Sequence, residues 1–375
     1  MRLSEEAVDW DPLPPPTRIA SDYIEMGYLL VLGAVGAIVN LIAFTNLNER
    51  PSVARRDRLL VLKQHMNYSD MMVIFLYTTS RVCWLTIYTW NGGDVLCKFV
   101  KFGQALSFQI SSNVVVVIAV DRALSVLVPL RGCRTAAVAR VHGLLIGAWV
   151  TAVALSLPQM FVWKVFEPFP NWPQCSGIWE ISRWQLSLEN KQNTTIYYAF
   201  TAERIYNIYH IVVIFWLPLA LITLCYATVI VWLWKRRSTV SSPSSVSTYA
   251  GHVGLSTSRS PACSSVRFAV VTEETRGSSN YKLATTRPFR TRSTSCSRRQ
   301  AMRVSCALVV AYVLCWLPYN SLVLWQLIDP VGYSAQIESK MYFINGLIVV
   351  NSVVNPFLYE TFRKQIDHRT FDQKK

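Results

Sequence analysis

Five ionisable residues stand inside long apolar stretches: Asp70, Arg81, Lys101, Asp121 and Arg122. A charge in hydrocarbon is costly, so residues of this kind are functional candidates by default. Asp121 and Arg122 sit within VVVVIAVDRALSVLVPL, Val114 to Leu130, where an acid–base pair directly follows a run suited to lipid. Lys101 and Gln104 are three residues apart and share one helix face. They offer an ammonium and an amide, suited to carbonyl and amide groups, although a lysine there can also snorkel outward into water. Asn40, Asn351 and Asn355 add amides, and Pro158, Pro218, Pro318 and Pro356 each remove a backbone hydrogen bond. Such a proline is either a working bend or a tolerated kink. The chain carries no nucleophile–base constellation, metal cluster or phosphate loop in a water-accessible site, so an enzyme is unsupported.

The elements that must position these residues are membrane helices. The chain has 375 residues, of which 52% are hydrophobic and 16% charged; a soluble chain usually carries about 25% charged. A span needs about 20 mostly apolar residues. Seven windows qualify: Ile24–Phe44, Val61–Tyr88, Phe99–Val128, Val141–Trp163, Ile205–Trp234, Ala301–Ile328 and Tyr342–Tyr359, the last being the shortest and carrying three asparagines. The expected fold is an all-α membrane protein, a seven-helix bundle crossing the bilayer several times. Arg50, Arg55, Arg56 and Arg58 in the first connection and Arg131, Arg134 and Arg140 in the third put those loops inside. The amino terminus is then outside and the carboxyl terminus cytoplasmic. The formal charge of +15 is mainly a cytoplasmic excess; with no basic stripe interleaved with aromatics, nucleic acid is not an expected partner. No cleavable signal is visible in MRLSEEAVDWDPLPPP, so the first span is expected to direct insertion.

The chain divides into an outer segment 1–23, five spans with their loops over 24–234, a loop 235–300, two spans over 301–359 and a tail 360–375. The outer loop between spans four and five is rich in Trp and holds Cys175 and the sequon Asn193-Thr194-Thr195, an expected glycosylation site. Residues 235–300 are rich in Ser, Thr and Arg and poor in apolar residues, so a flexible cytoplasmic loop with kinase-accessible serines is expected. The tail places Phe362 and Phe371 among basic residues, which suits a short helix lying on membrane lipid. Its shortness leads to an expectation of weak arrestin recruitment.

Read together, the motifs resemble the rhodopsin-like G-protein-coupled receptors. They are Gly36 and Asn40; Asp70 in HMNYSDM; Cys97, then Asp121-Arg122-Ala123 with Pro129-Leu130; Trp149; Pro218 and Tyr226; CWLPY from Cys315; and NSVVNPFLY from Asn351 to Tyr359. One anchor falls in each span, in order. The resemblance implies that Asp121 holds Arg122 at rest and that activation frees Arg122 for a heterotrimeric G protein. Tyr226, Pro318, Asn355, Pro356 and Tyr359 would take part, with Trp316 as pivot; the alternative is a salt bridge that only caps the helix. The usual tyrosine after the arginine is Ala123 here. Arg298 and Arg299 stand where some relatives carry an acid at the start of span six, so an ionic lock to that helix is not expected. Asp70, Ser111, Asn351 and Asn355 match positions that hold Na⁺, against the alternative of a polar plug without metal. Cys97 and Cys175 match the outer disulfide.

The run CKFVKFGQAL, with DRALSVLVPL and CWLPY, resembles the group of gonadotropin-releasing hormone, adipokinetic hormone and vasopressin/oxytocin receptors. It implies an extracellular peptide ligand contacting Lys101, Gln104 and Gln159 over a floor of Trp316, Tyr319 and Asn320, with G proteins of the Gq class. Arg81 departs from the pattern; Glu203, Asp94 or an acidic ligand group are its candidate partners. Gln326 adds a further polar group to the outer mouth, more than a lipid reader would be expected to carry. The rival readings are a receptor for a small molecule or lipid and, more remotely, a transporter.

Overall fold

The computed structural model describes residues 15–49, 57–128, 134–188, 194–240, 292–329, 332, 344 and 346–358. Its elements are α1 (Ala20–Asn48), α2 (Arg58–Met72), α3 (Thr79–Ile87), α4 (Gly93–Leu127), α5 (Arg134–Ser156), α6 (Gln159–Val162), β1 (Trp163–Phe169), β2 (Trp172–Gly177), α7 (Ile178–Leu188), α8 (Thr194–Ile211), α9 (Leu217–Val240) and α10 (Arg292–Ile328), followed by α11 (Leu347–Leu358). A π-helical turn, Val73–Thr78, joins α2 to α3, and another, Val212–Trp216, joins α8 to α9.

Helices are imposed here by solvent. Hydrocarbon offers no partner for backbone N–H and C=O groups, so each span must satisfy its own. Among the described residues, five helices are long and apolar enough to cross a membrane: Ala20–Asn48, Gly93–Leu127, Thr135–Val162, Thr201–Lys235 and Met302–Ile328. The α2–α3 unit has the length but not the hydropathy, since Lys63, Gln64, His65, Asn67 and Asp70 all lie in α2. The described part of the last expected span is only the shorter apolar helix α11.

The best-buried of these spans is α4, with 67% of its apolar window inside the protein against 22% for α1 and for α10. It packs against α2, α5 and α9. The central core gathers Met66, Ile110, Val114, Phe215, Tyr312 and Trp316. Outward-facing residues such as Ile38, Ile146, Val150 and Leu224 stay exposed, as lipid contact requires. At Gly36, a Cβ would meet Ile74 Cδ1 at 2.6 Å and Val353 Cγ2 at 3.1 Å, so glycine is what lets α1 approach its neighbours there.

Proline and the π turns are absorbed locally. Pro158 follows the end of α5 and caps α6. Pro218 has no N–H for the Ile214 carbonyl; Tyr312 Oη donates to that carbonyl instead, at 3.1 Å. Gln109 Nε2 serves the Val213 carbonyl at 3.1 Å in the same π turn.

The long connection after α6, read from sequence only as a Trp-rich loop, is an antiparallel hairpin, pairing Val165 with Cys175 and Trp163 with Gly177. The helix α7 follows it. The segment 235–300 is also shorter as a loop than its composition suggests, because α9 runs on to Val240 and α10 already begins at Arg292. Helix ends are set by backbone bonding, and these continue past the apolar windows.

Candidate functional site

The hairpin is stitched over one end of the bundle. Cys175 is disulfide-bonded to Cys97 of α4, with Cα atoms 5.6 Å apart. The Val165 N–H donates to Asp94 Oδ1 at 3.0 Å, and Trp90 N donates to the Pro173 carbonyl at 2.8 Å. Gln174 donates to the Tyr88 carbonyl at 2.9 Å and accepts from Trp84 Nε1 at 3.0 Å. Beneath this cover lies a cavity of about 370 Å³ whose lining includes Arg81, Lys101, Gln104, Trp84, Trp172 and Trp184.

Three of the expected ligand residues therefore meet at one cavity. Arg81 is already paired: Nε and an Nη donate to the two oxygens of Glu25, each at 2.8 Å, and Glu25 has no exposed surface. This corrects the expectation of Glu203 or Asp94 as partner. Asp94 is held by Lys98 at 2.5 Å, and Glu203 by Arg183 beside α7, while Glu25 lies on α1, which packs against α3 at this end. Arg81 also lies 4.7 Å from the centroid of the Trp84 ring. Lys101 does not snorkel away; its Nζ sits 4.0 Å above the Trp163 ring, a cation–π contact beneath the hairpin. Gln104 Nε2 donates to Ser80 Oγ at 2.7 Å.

Five other expected ligand residues lie outside this lining. Gln159 is buried and accepts from Trp163 Nε1 at 2.6 Å, so it fixes the ring on which Lys101 rests. Trp316 is deeper in the core, edge-on to Phe108 with centroids 5.5 Å apart. Asn320 donates its amide to the Trp316 carbonyl at 2.9 Å. Tyr319 is half-buried and Gln326 is exposed near the end of α10.

Midway along the bundle, Asn355 Nδ2 donates to Asp70 Oδ1 at 2.9 Å, and Ser352 stands beside the same carboxylate. Asp70 Oδ2, Ser111 Oγ, Asn351 Oδ1 and Asn355 Oδ1 are buried without a partner in hydrogen-bond geometry. A carboxylate oxygen with hydroxyl and amide oxygens fits a small hard cation such as Na⁺. Asn40 and Asn67 continue the polar track, with Asn67 Nδ2 donating to Asn40 Oδ1 at 2.9 Å.

At the opposite end Asp121 has no exposed surface and Arg122 is 6% exposed. An Arg122 Nη donates to Asp121 Oδ2 at 2.7 Å. Two arginines read from sequence only as loop charges join them: Arg58 of α2 donates to Asp121 Oδ1 at 3.2 Å, and Arg140 of α5 lies 3.9 Å from that oxygen. Tyr226 stands beside Arg122 and Ser305. Pro318 lies inside α10 and Pro356 is buried in α11. Tyr359, Pro129, Leu130 and Asn193 lie outside the described residues, as do all of 241–291 and the tail 359–375.

The family model described as 7 transmembrane receptor (rhodopsin family) matches residues 54–359. The chain belongs to that receptor family. It is a multi-pass protein of the plasma membrane, a seven-helix bundle and a receptor, not an enzyme. A protein described as G-protein coupled receptor daf-38, from Caenorhabditis elegans, is 40% identical to this receptor over 400 residues, covering 96% of the chain and 94% of that protein. The gonadotropin-releasing hormone II receptor of Chlorocebus aethiops is 26% identical, covering 92% and 77%. The annetocin receptor of Eisenia fetida is 24% identical, covering 90% and 78%. The receptor thus falls in the group that its third and sixth spans resemble.

Proposed function

We propose that this receptor binds an extracellular peptide in the cavity beneath the hairpin and passes the event to a heterotrimeric G protein at the Asp121 end. The observation that carries the reading is the convergence of Lys101, Gln104 and Arg81 on one covered cavity at the end opposite Asp121 and Arg122. In this reading the amino terminus and the disulfide face outward, as the basic connections after spans one and three require.

The work is a shift of population. A ligand that fits one arrangement of the helices better than another draws the bundle towards it, by no more than that difference in affinity. Lys101 would donate to carbonyls or a carboxylate, Gln104 would pair with amides, and the ring of Trp163 would hold the lysine in place. Trp316, packed against Phe108 and Tyr312, is the large buried side chain through which movement beneath the cavity would reach α10. Arg122 would then leave Asp121 for the G protein. Asp70, Ser111, Asn351 and Asn355 would hold Na⁺ at rest, where it would neutralise the Asp70 carboxylate. By analogy with the peptide receptors it resembles, the G protein is of the Gq class.

A small non-peptide ligand is the second reading. It is favoured by the cavity volume of about 370 Å³, which lies towards the small end of ligand sites and would admit only the tip of a peptide. The test is intracellular calcium in cells expressing the receptor, challenged with short amidated peptides and, in parallel, with small organic ligands. A response to one peptide family, weakened by Lys101→Ala at matched surface level, is expected. A response confined to small molecules would replace the ligand class and leave the receptor standing.

A further inference from the structure

The Asp121 carboxylate is shared by guanidinium groups from three helices, and the sharing is unequal. An arginine facing a carboxylate normally engages both oxygens through two parallel N–H bonds, the strongest arrangement open to it. Arg122 engages only Oδ2, at 2.7 Å. The other oxygen is occupied by Arg58 at 3.2 Å and approached by Arg140 at 3.9 Å. Arg122 Nε is buried without a hydrogen-bond partner. The remaining groups whose charge reaches Arg122 are Tyr226 and Asp57.

Arg58 is itself fixed. The same nitrogen that reaches Asp121 donates to Ser125 Oγ at 2.5 Å, and the Ser125 hydroxyl donates to the Asp121 main-chain carbonyl. Arg140 is anchored by donation to the Val128 carbonyl at 3.4 Å. These contacts come from α2 and α5, so they do not depend on Arg122 staying where it is.

We propose that Arg58 and Arg140 are positioning residues that keep Asp121 paired when Arg122 departs, and so favour the coupled state. The inference rests on the reading that Arg122 leaves Asp121 to engage the G protein. A buried carboxylate stripped of its partner is strongly unfavourable. With Arg58 already bonded and Arg140 close enough to tighten, Asp121 is not stripped. Competition for Oδ1 also denies Arg122 the two-point grip that would hold it at rest. The absence of an acid near the start of the sixth span fits this account: Asp121 alone holds Arg122, and α2 and α5 weaken that hold.

The experiment measures the Kd of nucleotide-free heterotrimeric G protein for the full-length receptor in lipid nanodiscs without added ligand. The heterotrimer is whichever of the four classes the wild type binds most tightly. The wild-type value bears on coupling itself, and the ratio of variant to wild type bears on this inference. Arg58→Met with Arg140→Met should weaken binding about threefold or more, the scale of couplings within one ionic network. Arg58→Lys with Arg140→Lys should restore most of the affinity. In an Asp121→Asn background the methionine changes should have an effect of less than about twofold, because the shared carboxylate is gone. Unchanged or tighter binding by the methionine variant would overturn the proposal and make the two arginines a resting-state restraint or bystanders. So would a loss that persists undiminished in Asp121→Asn. Should the double variant fail to fold, Arg140→Gln alone decides the question by the same ratios, since Arg140 lies at the edge of the cluster.

Discussion

Glu25 has no solvent contact, yet it carries a full complement of bonds from Arg81. Breaking a buried pair leaves an uncompensated charge, and Arg81 at 26% exposure recovers some of that loss through water. Glu25→Gln should therefore cost about 3 kcal/mol and Arg81→Met, which strands the fully buried carboxylate, about 4 kcal/mol, each read as a lower unfolding temperature of the purified receptor. Exchange of the two residues, Glu25→Arg with Arg81→Glu, should recover part of it. Asp70 gives a second prediction. Raising NaCl at constant ionic strength should raise the unfolding temperature of the wild type and leave Asp70→Asn unmoved, because the amide removes the anionic oxygen that a hard cation needs. Asp70, Asp121 and Arg122 were legible in the sequence because a charge within an apolar run stands out. Glu25 was not, since it sits at the margin of its window where an acid is unremarkable. Arg58 and Arg140 were visible only as loop charges that fix orientation; their meeting at one carboxylate depends on how α2 and α5 pack on α4.

Between residues and molecule stand the elements that bring the cavity together. The hairpin hangs on α4 through the Cys97–Cys175 disulfide and is pinned near its ends by Asp94, Trp90 and Gln174. Cys175→Ala should leave the helices folded but release the cover, so surface expression should fall and any peptide response should shift to higher concentration in a calcium assay. Gln159→Ala should weaken the same response without touching the lining, since Trp163 would lose its anchor and Lys101 its seat. Among the described residues, five spans match their hydropathy windows to within several residues, whereas the α2–α3 unit is too polar and the last span is described only in part. The hairpin was hidden among tryptophans, and its turn, where Asn171 adopts φ 59°, gave only the weak local signal of a proline–asparagine pair. The two π turns had no signal apart from the proline next to one of them.

Across the whole molecule the account joins two ends of a bundle built around α4, which carries Lys101 and Gln104 at one end and Asp121 and Arg122 at the other. Its central claim is that occupation of the covered cavity releases Arg122 to the G protein. The most direct test is nucleotide exchange by purified G protein on Arg122→Ala receptor at matched surface level, driven by a saturating dose of the peptide found in the calcium screen. The account predicts that the variant still binds the peptide while exchange falls to the ligand-free level. Exchange at the wild-type rate would contradict it.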